Sequence, residues 1–129
     1  MSYTNTLPLA NAHFISTELA SDMAARYRSH RELILAKDYQ DQNTLAFSET
    51  FNRNVLDVLL AKSGCAAIRI YYGMDENFKV HAMLVAVDEN NADILPDAKQ
   101  MELESEDNFV VEEGQRCPNL CPAQSPLNA

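Results

Sequence analysis

The fold of this chain is decided by residues 66–87, which read AAIRIYYGMDENFKVHAMLVAV. Apolar and polar side chains alternate over residues 68–72, and β-branched and aromatic residues are frequent there, which is typical of a strand. Residues 73–77 supply turn chemistry, and residues 80–87 are apolar apart from His81. This stretch predicts an antiparallel β-hairpin whose second strand is covered on both faces.

Two amphipathic helices are predicted before the hairpin. The first takes Ser16 or Thr17 as its N-cap, and its apolar residues recur at spacings of three and four. It is expected to run to about Lys37 or to pause near Ser29.

The second predicted helix has a broad apolar face over residues 51–60. Ser48 is its predicted N-cap, with Glu49 beside it. Gly64 stands where the chain needs a positive φ angle to leave the helix, because only glycine adopts that conformation without steric cost.

The chain changes character after the hairpin. Residues 88–93 predict a turn, and Ile94 and Leu95 predict a short third strand that Pro96 ends. Residues 96–113 form an acidic segment. Residues 114–129 contain three prolines and two cysteines and predict an extended tail.

These elements predict one α+β domain over residues 1–129, a length usual for a single domain. Residues 1–14 are expected to form a flexible arm, and the two N-terminal helices (15–63) pack on a short antiparallel β-meander (65–95). The second helix covers one face of the sheet. The other face needs a cover, which we expect to be the extended Pro/Cys-containing C-terminal tail or a second copy of the chain.

Charge and hydropathy exclude several classes of function. The net charge is -9, and residues 88–113 hold ten acidic side chains against one lysine. Such a segment repels phosphate, so we expect no binding to nucleic acid. No apolar run reaches the roughly 18 residues that a membrane span needs. Three cysteines are too few for a secreted disulfide framework, so a cytoplasmic location is predicted.

Cys117 and Cys121 enclose Pro-Asn-Leu and are the first candidates for chemistry. They are weak candidates for a metal, because zinc normally takes four ligands and no second pair accompanies them. A disulfide between them would close a small loop and is possible. The favoured interpretation is that both are reduced and pin the tail to the domain, with Cys65 in the core.

His81 is the one polar residue of an apolar strand, so its partners matter. Arg69, Tyr71 and Asp75 on the neighbouring strand or turn could contact it. Arg69, Tyr71 and His81 are therefore candidate ligand-binding residues, although most such histidines are simply hydrogen-bonded in place. No catalytic residue and no cofactor are predicted, since hydrolase, zinc-protease and phosphate-loop motifs are absent from the sequence.

Four stretches carry a resemblance to a known family: RIYYGMDE at residues 69–76, the strand at 80–88, QRCPNLCPAQSPL at 115–127, and SETFNR at 48–53. The chain resembles a family of small uncharacterised bacterial proteins from the first helix onward. The resemblance implies one coherent folding unit and assigns no activity, so no catalytic residue is carried over. The family tail often has a second proline after its first cysteine, where Asn119 stands here.

The prediction for function is a non-enzymatic interaction or structural module that forms a homo-oligomer, most simply a dimer, with a protein partner as a further possibility. A first alternative is a small ligand-binding protein or enzyme, with a pocket between the hairpin and the C-terminal tail anchored by Arg69, Tyr71 and His81. A second alternative is a metal-binding protein that uses Cys117 and Cys121.

Overall fold

The computed structural model describes residues 1–97 and 108–128, and it has the α+β architecture that the sequence predicts. In chain order the elements are a 3-10 turn (Ala10–Ala12), α1 (Thr17–His30), a 3-10 turn (Lys37–Tyr39), β1 (Ser48–Thr50), α2 (Arg53–Leu60), β2 (Cys65–Met74), β3 (Val80–Asp88), β4 (Val110–Val111) and β5 (Gln115–Cys117). β2, β3 and β4 form a three-stranded antiparallel meander in that order. β1 and β5 pair antiparallel in a separate two-stranded sheet.

The chain divides into two compact units, each built from segments that are not contiguous in sequence. The three-stranded unit takes Met1–Pro8, Phe51–Gly73 and the described part of Ala82–Glu113. The two-stranded unit takes Leu9–Thr50, Met74–His81 and the described part of Gly114–Ala129. The expectation of a single domain stays a prediction.

The start of α1 is the predicted one. The Ser16 hydroxyl oxygen accepts a hydrogen bond of 3.0 Å from the Leu19 N–H, which satisfies one of the free donors of the first turn. The helix ends at His30, close to the predicted pause at Ser29. Basic side chains in its last turn suit the negative end of the helix dipole.

The segment after α1 is tied back to that helix. Arg31 is buried, and its guanidinium donates to the Leu45 carbonyl and lies 4.0 Å from the centre of the Phe47 ring. The Tyr27 hydroxyl donates to the Ala46 carbonyl at 2.7 Å. These contacts fix the approach to β1.

The predicted start of α2 is wrong. Asn52, not Ser48, is the N-cap, and its side-chain oxygen accepts from the Asn54 N–H at 2.8 Å. Ser48 belongs to β1 and lies opposite Cys117 of β5. The reason is tertiary, because pairing with a distant strand satisfies the backbone of residues 48–50 in an extended conformation.

The core of the three-stranded unit lies between α2 and the sheet. Leu59 of α2 is completely buried and packs in one cluster with Leu84 and Ala86 of β3. Phe51, Leu56 and other partly buried apolar side chains surround this cluster. All four residues from 84 to 87 are buried, and since neighbours on a strand face opposite sides, the predicted covering of both faces of β3 is confirmed.

The predicted third strand at Ile94 and Leu95 is wrong. In that region the structure has one isolated bridge, between Val87 and Asp93. The third strand is β4, whose Val110 and Val111 lie opposite Val85 and Leu84. The turn before Ile94 is closed by the Asp88 side chain, which accepts from two backbone N–H groups.

Two glycines lie at positions where a larger side chain would be strained or crowded. Gly64 has the predicted positive φ, at +82°, although it lies four residues beyond the end of α2. Space is tight at Gly73, because a Cβ at that position would lie 3.1 Å from the Met83 sulfur and the Met83 side chain would have to shift.

Of the remaining predicted segments, the arm at residues 1–14 is mostly exposed and contains the first 3-10 turn. Most of the acidic segment falls outside the described residues, and its described end contributes β4. No helix among residues 1–97 and 108–128 is long and apolar enough to cross a membrane.

Candidate functional site

Arg69 and Tyr71 lie two residues apart on β2 and bind the same carboxylate. The Arg69 guanidinium donates to one oxygen of Asp93, and the Tyr71 hydroxyl donates to the other. Arg69 also donates to the side-chain oxygen and, at 3.2 Å, to the backbone carbonyl of Asn91. The two predicted binding residues therefore clamp the turn that follows β3.

The protonation of this cluster follows from its hydrogen bonds. The hydrogen bond to Asp93 raises the pKa of Tyr71 above its ordinary value, because it stabilises the protonated phenol. The same carboxylate raises the pKa of Arg69. Both side chains are donors at neutral pH, so the cluster is suited to holding a turn and unsuited to removing a proton.

His81 has a different set of partners, in the two-stranded unit. Its Nε2 lies 2.8 Å from a carboxylate oxygen of Asp75, and its Nδ1 lies 3.8 Å from Glu49. The predicted contact with Asp75 is confirmed, whereas Arg69 and Tyr71 are engaged with Asp93. The three predicted anchors thus belong to two hydrogen-bonded clusters.

Arg116 of β5 joins the His81 cluster from the other side. Its guanidinium lies 3.8 Å from the same Glu49 oxygen, and it donates to the Val80 carbonyl and, at 3.0 Å, to the Asn43 carbonyl. Glu49 therefore lies between an imidazole and a guanidinium. These contacts connect β1 and β5 to the first two residues of β3, Val80 and His81.

Asp75 organises the hairpin turn as well as binding His81. Its second oxygen accepts from the backbone N–H groups of Asn77 and Lys79 at 2.8 and 3.1 Å. The hydrogen bond from His81 is the main cause that lowers the pKa of Asp75, and these backbone donors add to it. This geometry is that of a histidine hydrogen-bonded in place.

Cys117 and Cys121 are joined by a disulfide, so the favoured interpretation that both are reduced is wrong. The backbone turns sharply between them, with the Leu120 N–H donating to the Arg116 carbonyl at 3.0 Å, which brings the two Cα atoms to 4.6 Å. Cys65 is the free thiol and packs against the core, as predicted.

The disulfide also removes the weak candidates for metal binding. Zinc binds cysteine as the thiolate, and both sulfurs of the tail are already bonded to each other. In the part of the chain that the structure describes, no group of three or more His, Cys, Asp or Glu side chains is placed to hold a metal ion.

The two-stranded unit contains a cavity of about 680 Å³. Its walls come from one face of α1, from the β1 region and from the tail after the disulfide. The sequence predicted a pocket between the hairpin and the tail. This cavity lies between the tail and α1, and backbone carbonyls of the tail accept hydrogen bonds from Ser21 and Arg28 of that helix. The pocket between hairpin and tail stays a prediction.

β2 is a ten-residue strand at the edge of the three-stranded sheet. Beyond the part of β2 that the core covers, its side chains reach solvent. Ile70 is 51% exposed and Tyr72 is 78% exposed, and their spacing of two places them on the same face of the strand. The strand combines a position at the edge of the sheet with an exposed apolar pair.

Comparisons of the chain with protein-family models, with curated proteins and with solved structures gave no match.

Sequence reasoning missed the acidic and basic partners that complete the two clusters. Asp93 was interpreted only as part of a turn, although a carboxylate at the end of a hairpin turn is a natural partner for an arginine on the neighbouring strand. The contact between Glu49 and Arg116 could not be predicted from the residues near either of them in sequence. Their proximity depends on the pairing of β1 with β5, which joins distant parts of the chain.

Proposed function

We propose that this chain is a non-enzymatic interaction module that pairs with a second copy of itself along the edge of β2. The observation that carries the proposal is the length and exposure of that edge strand, with Ile70 and Tyr72 uncovered. An exposed strand edge presents a row of backbone N–H and C=O groups that another strand can satisfy.

The sequence of β2 lacks the proline and lysine that often protect a sheet edge. Protein sheets blunt their edges with proline, lysine, bulges or very short strands. β2 has ten residues with no proline and no lysine, and its one charged side chain, Arg69, is engaged with Asp93. A strand of this kind is suited to pairing.

A symmetric antiparallel pairing of two β2 strands places compatible side chains opposite each other. With a two-fold axis at Tyr71, Ile70 of one copy lies opposite Tyr72 of the other, and this contact occurs twice. Cross-strand pairs of a β-branched and an aromatic residue are favourable. Arg69 then lies opposite Gly73 of the second copy, so no like charges meet.

The charged clusters support a module without catalysis. Arg69, Tyr71 and Asp93 hold one turn, and Asp75 with His81 holds another. These polar side chains are hydrogen-bonded to the turns next to the hairpin strands, and so they have a structural role.

A cytoplasmic location also stays a proposal. Disulfides are uncommon in the reducing cytoplasm, so the Cys117–Cys121 bond is the feature of the structure that bears on it. Rapid alkylation of cell extracts, followed by mass spectrometry of the tail peptide, gives the redox state directly. A fully reduced pair in cells would support the cytoplasm, and a fully oxidised pair would oppose it.

The pairing of β2 is tested by the mass of the chain in solution. At micromolar concentration, light scattering coupled to gel filtration should give twice the mass of one chain. Tyr72→Lys places a charge opposite Ile70 of the second copy and should return the mass to that of a monomer. Tyr3→Lys, at another exposed tyrosine, is the matched control and should stay dimeric.

Two results would overturn the proposal. One is a wild-type protein that stays monomeric over the whole micromolar range. The other is a dimer that tolerates Tyr72→Lys as well as it tolerates the control. A complex of higher mass formed with a different protein, in the absence of self-association, would replace the second copy by a hetero-partner.

A further inference from the structure

We infer that the cavity of the two-stranded unit binds a small, uncharged, mainly apolar molecule between α1 and the tail. This inference is independent of the proposed pairing of β2, which concerns the edge of the three-stranded sheet. It is carried by the way the cavity is built, by the small side chains that leave the space, and by the bonds that its polar side chains already make within the protein.

The walls of the cavity are fixed by bonds within the protein. On one side the Ser21 hydroxyl donates to the Pro126 carbonyl and the Arg28 guanidinium donates to the Leu127 carbonyl, both at 2.8 Å. On the other side lie the tail disulfide, both residues of which line the cavity, and the β1–β5 pairing. Walls held by covalent and hydrogen bonds are preorganised, so a ligand that enters needs little rearrangement of the protein.

The space arises from small side chains on α1. Ala20 and Ala24 are four residues apart, lie on one face of the helix and line the cavity. Phe47 and Leu127 add larger apolar surface from the other walls. A volume of about 680 Å³ lies within the usual range for small-molecule sites, and the lining is mainly apolar. The shape and surface therefore suit an apolar ligand.

Polar side chains of the lining make hydrogen bonds to the protein itself. The Tyr27 hydroxyl donates to the Ala46 carbonyl at 2.7 Å. The Asn128 amide uses both of its ends, because its oxygen accepts from the Ser125 N–H at 2.7 Å and its NH₂ group donates to the Ala123 carbonyl at 3.1 Å. A polar ligand would have to compete with these bonds, whereas an apolar ligand leaves them intact.

The charges at the cavity also favour an uncharged ligand. Arg28 is the one charged side chain among the described residues of the lining, and it is engaged within the protein. Burial raises the pKa of the Tyr27 phenol, which is therefore neutral at physiological pH. An ionised ligand would lose its hydration on entering an apolar space, which is costly without a compensating ion pair.

Two fluorescent probes that differ by one charge test the inference. Phenylnaphthylamine is uncharged, and anilinonaphthalene sulfonate has the same rings with an added sulfonate. Each probe is titrated into the full chain at neutral pH, and the rise in its emission gives the affinity. The uncharged probe should bind once per chain and tighter than the sulfonate by about tenfold or more, because a desolvated sulfonate costs free energy.

Matched variants locate the bound probe. Ala24→Phe and Ala20→Leu fill the cavity from two positions of α1, and each should weaken the binding of phenylnaphthylamine by about tenfold or more. Ala25→Phe, on the exposed side of the same helix, should leave the affinity unchanged. Tyr72→Lys should also leave it unchanged, because Tyr72 belongs to β2 and not to the cavity. Circular dichroism verifies that each variant is folded.

Several outcomes would overturn the inference. The first is a wild-type protein that does not bind phenylnaphthylamine. The second is a sulfonate probe that binds as tightly as the uncharged one, which would mean that the site accepts anions. The third is binding that survives both cavity-filling variants. The fourth is binding that is lost in Tyr72→Lys, which would place the probe at the edge of β2.

Discussion

Two of the strand pairs, β2–β3 and β1–β5, are made in opposite ways. β2 and β3 are long strands joined by one short turn, whereas β1 and β5 are three residues each and come from the middle and the end of the chain. The first pair is a hairpin between neighbouring segments. The second is a two-stranded ribbon between distant segments, and bringing those together costs more chain entropy.

The difference shows in what stabilises each pair. The hairpin has a buried apolar strand, β3, and a helix packed on it through Leu59. The ribbon has a disulfide next to it and a charge network through Glu49 and Arg116. Short nonlocal strands need covalent and polar fastening where a long hairpin can depend on apolar burial.

The largest expected effect breaks the apolar support of the hairpin. Leu59→Ala leaves a cavity at a fully buried position. It should lower the free energy of unfolding by about 2–5 kcal/mol, as measured by urea denaturation. Leu60→Ala is the matched control, since Leu60 is 55% exposed and should cost much less. Similar losses for the two neighbours would show that α2 does not cover the sheet through Leu59.

An intermediate effect breaks the covalent support of the ribbon. Cys121→Ser removes the disulfide while keeping Cys117, which is buried. The closed loop is short, so the chain-entropy argument gives a loss of about 2 kcal/mol. Hydrogen exchange should speed up at the amides of β1 and β5. Adding reductant to this variant is the control and should change nothing further; unchanged exchange in the ribbon would contradict its dependence on the disulfide.

The smallest expected effect comes from a substitution in the hairpin turn, at Asp75. Because the pKa of Asp75 is lower in the folded chain than its unfolded value of about 3.9, its carboxylate stabilises the fold above that pH. The contribution is lost as the pH falls through the folded-state pKa. Asp75→Asn should therefore be less stable than wild type at pH 7, and the difference should shrink below about pH 3.9.

Urea denaturation at pH 7 and in the acid range gives this difference for each protein. Glu76→Gln changes the net charge equally in the same turn and is the matched control. A stability difference for Asp75→Asn that is the same at every pH would mean that the carboxylate's charge has no part in holding the turn.

Much of the local structure was predictable. Ser16 caps α1, residues 66–87 form the hairpin, Gly64 has a positive φ and the strand through residues 84–87 is buried, all as the sequence indicates. Each of these depends on neighbouring residues through periodicity, capping or steric freedom. The contact between His81 and Asp75 was also foreseen, because both lie on one hairpin.

The errors share a different origin. Ser48 has the chemistry of an N-cap, but pairing with β5 takes its backbone into a strand. Ile94 and Leu95 have the composition of a strand, but β4 takes the place beside β3. In each case the strand that forms the pairing comes from a segment distant in sequence, and a local pattern contains no record of that segment.

By itself, then, the sequence determined the helices, the hairpin and the apolar strand, because those depend on interactions within a few residues. Only the tertiary structure decided that Arg69 and Tyr71 meet at Asp93, that Glu49 lies between His81 and Arg116, and that a cavity opens between α1 and the tail. Those features depend on which distant segments pair. That choice is made by the packing and hydrogen bonding of the whole chain.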